Sequence, residues 1–265
     1  MGRRRVVRPV PIEEKPRNDK RDEKKRQERV RKRAEELHEQ GMPFQMAMAV
    51  AHGRLDLNEA LERMARNDRI VRLMKKHDLS RALATQIALG QADLERVLYR
   101  RRFDEHRKEH RTRSVLDEAQ ESGESIVLGL HGGEEIEVEI AGSDTYGVQV
   151  VPSGGGDPRE IHKLQIKFAY VPGAAQRVQK VRTVDPEVAA DPHEPIERPQ
   201  DRYACSDKRL FRYVDKRTPV RTTLLEGQQF SGRVAWFSRY EFQMAKDGDP
   251  AVTIFRHALR DLTEI

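Results

Sequence analysis

The stretch that decides the fold runs from Pro219 to Phe242 and reads PVRTTLLEGQQFSGRVAWFSRYEF. Apolar side chains fall on alternating positions within it, as Phe230 and Val234 do after a turn at Gly227. A period of two residues is typical of strands that bury one face. The stretch therefore predicts short antiparallel strands, and we expect a short amphipathic helix at about 207–214 to precede them.

A similar alternation occupies residues 122–171. Apolar residues alternate from Ile126 to Leu130, Gly132-Gly133 interrupts them, and the alternation resumes from Ile136 to Ile140. This pattern predicts a second antiparallel meander. Between the two meanders, the proline-rich and acidic residues 172–202 predict a partly extended linker.

The N-terminal part contains an internal repeat with a period of 37 residues, in which residues 42–61 lie over residues 79–98. Each copy predicts a short helix, a glycine turn and a longer helix that an aspartate caps. We expect a helical domain with these two hairpin repeats over residues 42–121. A basic tail and a solvated helix over residues 1–40 would precede it.

Charge is distributed unevenly along the chain. The formal net charge of +6 conceals an excess of +9 over residues 1–33 and of −9 over residues 114–200. A basic front of this kind would attract phosphate backbones with little sequence preference, or would serve only as a solvated tail that aids solubility. With 37% hydrophobic and 35% charged residues, we expect several small folded units instead of one large core.

Several classes of protein are disfavoured. No apolar run approaches the roughly 18–20 residues of a membrane helix, and the first residues lack the apolar region of a signal peptide. The single cysteine, Cys205, excludes a disulfide framework and a cysteine-rich zinc module. The string from His106 to His110 matches H-x-x-E-H but has no evident third ligand. We expect a cytoplasmic protein with no membrane partner, no metal, no cofactor, no catalytic residues and no enzymatic activity.

The C-terminal stretch resembles the Sm-like fold of the Hfq family from Asp207 to Leu262. The turn that ends in Gly227, the strand that follows it and the segment from Ile254 to Leu259 carry the resemblance together. That segment is similar to the Tyr-Lys-His-Ala-Ile segment of the family. The resemblance implies an Hfq-like Sm domain over residues 203–265.

The middle meander resembles a degenerate second copy. Laying Gly133 on Gly227 also places Tyr146 on Tyr240. The predicted fold is therefore α+β and multidomain, with an N-terminal helical hairpin repeat and two small bent antiparallel Sm-like barrels. Because Sm-like sheets complete themselves by pairing strand edges, we expect a homo-oligomer. A ring of three chains and a pairing of the two units within one chain both remain open.

The C-terminal unit also carries residue types that hold single-stranded RNA. Bases stack on aromatic rings, and cations contact phosphates; Tyr240 offers a ring and Arg239 a neighbouring cation. By resemblance, Arg256 and His257 would contact phosphate and base edge at the pore of a ring. The expected RNA-binding residues are Arg239, Tyr240, Arg256, His257, Arg212, Lys216 and Arg217.

The predicted function is non-covalent binding of single-stranded RNA, uridine-rich by resemblance, as an RNA chaperone or a post-transcriptional regulator. Two alternatives stay open. One is an oligomerising scaffold for protein interactions. The other is a DNA-binding regulator that reads duplex DNA through the helical repeat.

Overall fold

A computed structural model describes residues 19–246 and 249–265. The basic tail predicted before Asp19 lies outside the described residues. The helices of the described part are α1 (Asp19–Glu39), α2 (Phe44–Ala51), α3 (Leu57–His77), α4 (Arg81–Ala88), α5 (Leu94–His110), α6 (Val115–Ser122), α7 (Ala175–Val181), α8 (Pro186–Ala190) and α9 (Asp207–Lys216). The strands are β1 (Ile126–Leu130), β2 (Glu135–Ser143), β3 (Gly147–Pro152), β4 (Arg159–His162), β5 (Ile166–Tyr170), β6 (Arg182–Val184), β7 (Pro219–Leu224), β8 (Gln228–Phe237), β9 (Glu241–Lys246), β10 (Asp249–Phe255) and β11 (Leu259–Glu264).

The chain divides between Leu94 and Glu95 into two compact units. The first unit is helical and contains the predicted repeat up to the start of α5, whose remaining residues belong to the second unit. Helices α2 and α4 begin 37 residues apart, and so do α3 and α5. Asp56 caps α3 as expected, since its side chain accepts hydrogen bonds from the backbone of Asn58 and Glu59. A small core of alanine, leucine and methionine side chains joins α1 to α3.

In its described residues, the second unit contains one antiparallel sheet of eleven strands. Ten of them follow the order β11-β7-β8-β9-β10-β5-β1-β2-β3-β4, and β6 pairs with β8 off this path. The expected α+β class is therefore confirmed. Where the sequence predicts two separate barrels, the strands form one continuous sheet that does not close.

This sheet consists of two groups of five strands that share one order. In each group the last strand stands first, followed by the other four in chain order. Equivalent turns make equivalent hydrogen bonds: the amide of Arg256 donates to the Tyr240 carbonyl at 2.8 Å, and that of Lys163 donates to the Tyr146 carbonyl at 2.7 Å. We call β1 to β5 the first group and β7 to β11 the second group.

The two groups join through the edges of β5 and β10. Phe168 lies opposite Ile254 and Ala169 lies opposite Thr253 across this junction. Both strands are apolar, and the ring of Phe168 packs edge-on against that of Phe230 at 5.1 Å between centroids. Because these side chains are excluded from water, the junction continues the core from one group into the other.

Residues 172–202 contain more regular structure than an extended linker. They include α7, the short strand β6 and α8. Val178 and Val181 lie one helical turn apart and are both buried, so α7 closes the core of the second group. Gly227 tolerates the close approach of α8, since a Cβ at this position would lie 2.7 Å from the backbone nitrogen of Ala189.

Among the residues that the structure describes, none of the helices combines the length and the apolar character that crossing a bilayer takes.

Candidate nucleic-acid interface

The turn between β8 and β9 presents an exposed aromatic ring. The amide of Ser238 donates to the Glu241 carbonyl at 2.8 Å and closes the turn. The ring of Tyr240 is 65% exposed, and the guanidinium carbon of Arg239 lies 5.2 Å from the centre of this ring. A phenol held outward beside a cation is the arrangement that stacks a base and contacts its phosphate.

Arg256 braces this turn from behind. Its Nη1 donates to the carboxylate of Asp207 at 2.9 Å and to the Ser238 carbonyl at 3.0 Å. Its Nη2 donates to the carbonyl of Cys205. These bonds commit the guanidinium to the protein, so the structure places Arg256 as a residue that positions the turn carrying Tyr240.

His257 lies at the junction between the two groups of strands. Its Nε2 donates a hydrogen bond of 2.9 Å to the carbonyl oxygen of Ile166. Burial lowers the pKa of His257 to about 4. The imidazole is therefore neutral near pH 7 and holds β5 against the second group.

The three cations predicted on α9 lie elsewhere. Arg212 forms a salt bridge of 2.6 Å with Glu264 at the surface. Lys216 and Arg217 are exposed at the end of α9, about 14 Å along the helix axis from Asp207. The structure thus brings Arg239, Tyr240 and Arg256 together and leaves this second cationic patch separate.

Helix α5 contributes two arginines that the sequence analysis did not select. A cleft of about 410 Å³ lies between α5 and the turn of Tyr240. The residues that line it are Arg107, Arg111, Asp207, Phe237, Ser238 and Arg239. The side chain of Ser238 is 5% exposed, and its hydroxyl has no hydrogen-bond partner among the described residues.

Aromatic packing explains why α5 lies here. Phe103 and His106 of α5 both contact the ring of Phe211, at 5.3 and 5.7 Å between centroids. His106 also lies 4.5 Å from Phe237, and His110 stacks on Trp236 at 5.9 Å. Arg107 directly follows His106, and Arg111 directly follows His110. Because the two histidines face the sheet, the two arginines point about 100° further around the helix and line the cleft.

The H-x-x-E-H string therefore belongs to a packing face. Burial, followed by the charge of His110, lowers the pKa of His106 to about 4. Within the described ranges, no group of three or more histidine, cysteine, aspartate or glutamate side chains is placed to hold a metal ion. A neutral histidine against phenylalanine rings supplies apolar contact area to α5.

The cleft carries an excess of positive charge. Asp207 is shared by Arg256 at 2.9 Å and Arg107 at 3.4 Å. Arg111 and Arg239 have no carboxylate within ion-pair distance in the part of the chain that is described. The lining of the cleft thus contains three arginines and one aspartate, and this aspartate is already paired, which favours the binding of an anion.

The signal for this cleft was present in the sequence. Arg107 and Arg111 are four residues apart and therefore share one face of a helix. That spacing alone does not show what the face meets, because the residues of β8 and α9 that α5 contacts lie more than 100 positions later in the chain.

Comparison with protein-family models gives no match for this chain, and comparison with curated proteins gives none either. The function is therefore inferred from the fold and from the residues of the cleft.

Proposed function

We propose that this chain is a tandem Sm-like protein of the Hfq type that binds single-stranded RNA without chemical conversion. The observation that carries the proposal is the exposed Tyr240 ring beside the arginine-lined cleft. A cytoplasmic RNA chaperone or post-transcriptional regulator is the role that fits such binding.

Base and backbone would be held by different groups. One base stacks on Tyr240, a contact that is worth about 1–3 kcal/mol per base in other proteins. Arg239, Arg107 and Arg111 contact the adjoining phosphates, and the Ser238 hydroxyl borders the same space. Since every base has an aromatic face, the stacking itself is tolerant of sequence, and the preference for uridine rests on the resemblance alone.

The strand arrangement supports the Sm-like assignment. A helix precedes each group of five strands, α6 before β1 and α9 before β7. The long second strand of each group has a register shift at the same place, between Ile140 and Gly142 in β2 and between Val234 and Trp236 in β8. Shifts of this kind bend a strand, which agrees with the bent sheet that the resemblance implies.

The first group is a poor RNA site by the same criteria. Tyr146 is 71% exposed, but Lys163 donates to the carbonyl of Asp144 in its own turn. Glu134, Glu137 and Glu139 of the same group are exposed, so the local field disfavours a polyanion. We therefore assign this group to assembly, with a homo-oligomer formed through strand edges.

The test compares two tyrosines at equivalent turns. Binding of a fluorescent uridine-rich 12-mer is measured by anisotropy for the full chain, for Tyr240→Ala and for Tyr146→Ala. Tyr240→Ala is expected to weaken binding about 10-fold or more, since a stacking contact of 1–3 kcal/mol is lost. Tyr146→Ala is expected to change affinity less than 2-fold. Equal effects of both variants, or no effect of Tyr240→Ala, would refute the site.

A protein-interaction scaffold remains the second candidate, because the helical unit exposes apolar side chains. Phe44, Leu61 and Leu89 are 47%, 50% and 45% exposed. Exposed apolar groups on one unit suit a protein partner better than a polyanion. RNA affinity that is unchanged in every cleft variant would favour this candidate, whereas preferential binding of duplex DNA would favour a DNA-binding regulator.

A further inference from the structure

The outer edge of β11 corresponds to the edge by which the two groups are joined. Gln165 and Ala258 receive the same turn hydrogen bond in the two groups, from the amides of His131 and Leu225. Leu262 lies four positions after Ala258, and Ala169 lies four positions after Gln165, so Leu262 of β11 is the equivalent of Ala169 of β5. Ala169 lies opposite Thr253 of β10, whereas β11 has β7 as its one strand neighbour among the described strands.

The backbone of Leu262 faces outward. The amide of Ile265, the residue directly after β11, donates to the carbonyl of Pro219 at 3.1 Å, so this residue directs its backbone groups at β7. In an antiparallel pair these groups alternate along the strand. Leu262, three positions earlier, therefore directs its amide and carbonyl away from β7.

Two side chains, one from residues 193–203 and one from α9, donate hydrogen bonds to this outward carbonyl. Nη2 of Arg209 and the hydroxyl of Tyr203, the latter at 3.5 Å, both donate to the Leu262 oxygen. Arg209 is itself held by its Nη1, which donates to the Tyr203 hydroxyl at 2.7 Å. Its Nε donates to the hydroxyl of Tyr213 at 2.9 Å.

The segment of residues 193–203 is also held at its first residue. The amide of His193 donates to the carbonyl of Leu225 at 3.0 Å, in the turn between β7 and β8. Arg202 folds the segment on itself, because its guanidinium donates to the carbonyls of Ile196 and Glu197 at 2.8 and 2.7 Å. Residues 193–203 are thus tied both to the turn beside β11 and to β11 itself. Covering an edge with a loop is a recognised protection against pairing with another chain.

The opposite end of the sheet offers the matching edge. The amide of Lys163 donates to Tyr146 beside β3, so the alternation directs the backbone of Glu160 in β4 outward. By the same correspondence between the groups, Glu160 takes the place of Thr253. No strand pairs with this edge of β4 in the described part of the chain.

We propose that residues 193–203, with Arg209, form a latch on β11 and that the partner for this edge is β4 of a second copy of the chain. The register follows from the internal junction: Glu160 of the second copy lies opposite Leu262, as Thr253 lies opposite Ala169. The homo-oligomer then forms after the latch leaves. This inference uses none of the residues of the RNA site.

The test measures mass in solution by light scattering. The wild-type chain at about 10 μM is expected at the mass of one chain, 30.7 kDa. Tyr203→Phe combined with Arg209→Ala is expected at two or more times this mass, since the Leu262 carbonyl loses both donors. Lys208→Ala, an exposed neighbour on the same helix, serves as the matched control and is expected to keep the mass of one chain.

A second change identifies the partner edge. Adding Glu160→Pro to the latch variant removes an outward amide without touching the β3–β4 hydrogen bonds, and the mass is expected to return to that of one chain. Replacing residues 194–203 by a glycine-serine segment of equal length removes Tyr203 together with the covering segment and takes from Arg209 its Tyr203 partner, in case the double substitution unfolds the protein. The latch is refuted if both opened variants stay at one-chain mass with unchanged circular dichroism. A wild-type chain that already assembles, or an assembly that Glu160→Pro leaves intact, refutes it too.

Discussion

Replacing Glu241 by glutamine should remove a pH-dependent cost of folding. Glu241 is 2% exposed at the start of β9, and its Oε1 accepts a hydrogen bond of 2.7 Å from the amide of Val115. Burial raises its pKa from 4.5 to about 8. Glutamine has the same shape and keeps an oxygen for the Val115 amide, but it needs no proton to stay neutral.

The sign and size follow from the two pKa values. Between pH 4.5 and about 8, the folded state holds a proton that the unfolded state has released, so stability falls as pH rises, by about 1.4 kcal/mol per pH unit. The buried histidines have lowered pKa values and are neutral in the folded state over this range, and the protons that their unfolded forms still lose above pH 6.5 change the stability of wild type and variant equally. From pH 6.5 to 8 the wild type should therefore lose about 2 kcal/mol through Glu241, and Glu241→Gln should lose none of this.

Urea unfolding at several pH values measures this difference. Trp236 is the one tryptophan of the chain and lies in the same unit as Glu241, so its fluorescence reports the relevant transition. Glu139→Gln, an exposed glutamate of β2, is the matched control and should keep the wild-type slope. Parallel pH slopes for wild type and Glu241→Gln would refute the reasoning, as would a Gln variant less stable than wild type at pH 8.

Three further outcomes follow from the structure. Gly227→Ala should cost at least about 2 kcal/mol more than Gly133→Ala in urea unfolding, because both glycines have φ near +85° but only at Gly227 would a Cβ meet backbone atoms; equal costs would contradict this contact. Arg107→Ala with Arg111→Ala should lower RNA affinity and reduce the dependence of log Kd on log salt by about 1.4 for two phosphates on a single strand; an unchanged salt slope would exclude both from the interface. Because burial lowers the pKa of His257 to about 4, the stability it contributes should be lost as pH falls from 6.5 to 4, and His257→Asn should flatten that part of the pH profile in urea unfolding; an unaltered acid limb would contradict its buried, neutral state.

Local patterns predicted much of the fold. The 37-residue repeat gave the starts of α2 to α5, since capping aspartates and glycine stops act within a few residues. The alternation around Gly227 gave β7 and β8, because the period of two follows from the geometry of a strand with one buried face. These signals are short-range, so the sequence alone was sufficient to find them.

The pairing of β5 with β10, which joins the two groups of strands, could not be predicted from local sequence patterns. Pairing of Ala169 with Thr253 depends on backbone groups that any sequence carries. The roles of Arg256 and His257 could not be predicted for the same reason. Their hydrogen-bond acceptors, the carboxylate of Asp207 and the carbonyl of Ile166, come near them only in the folded chain. Tyr240 was identifiable because its neighbours in sequence already form the turn that exposes it.

Photo-crosslinking is the most direct test of RNA binding at the turn of Tyr240. A uridine-rich single strand is irradiated with the full wild-type chain, and the modified peptides are identified by mass spectrometry. The dominant crosslinks are expected at Tyr240 and in the peptide of α5 that contains Arg107 and Arg111. Crosslinks confined to the helical repeat or to the first group of strands, with none at Tyr240, would contradict the proposed function.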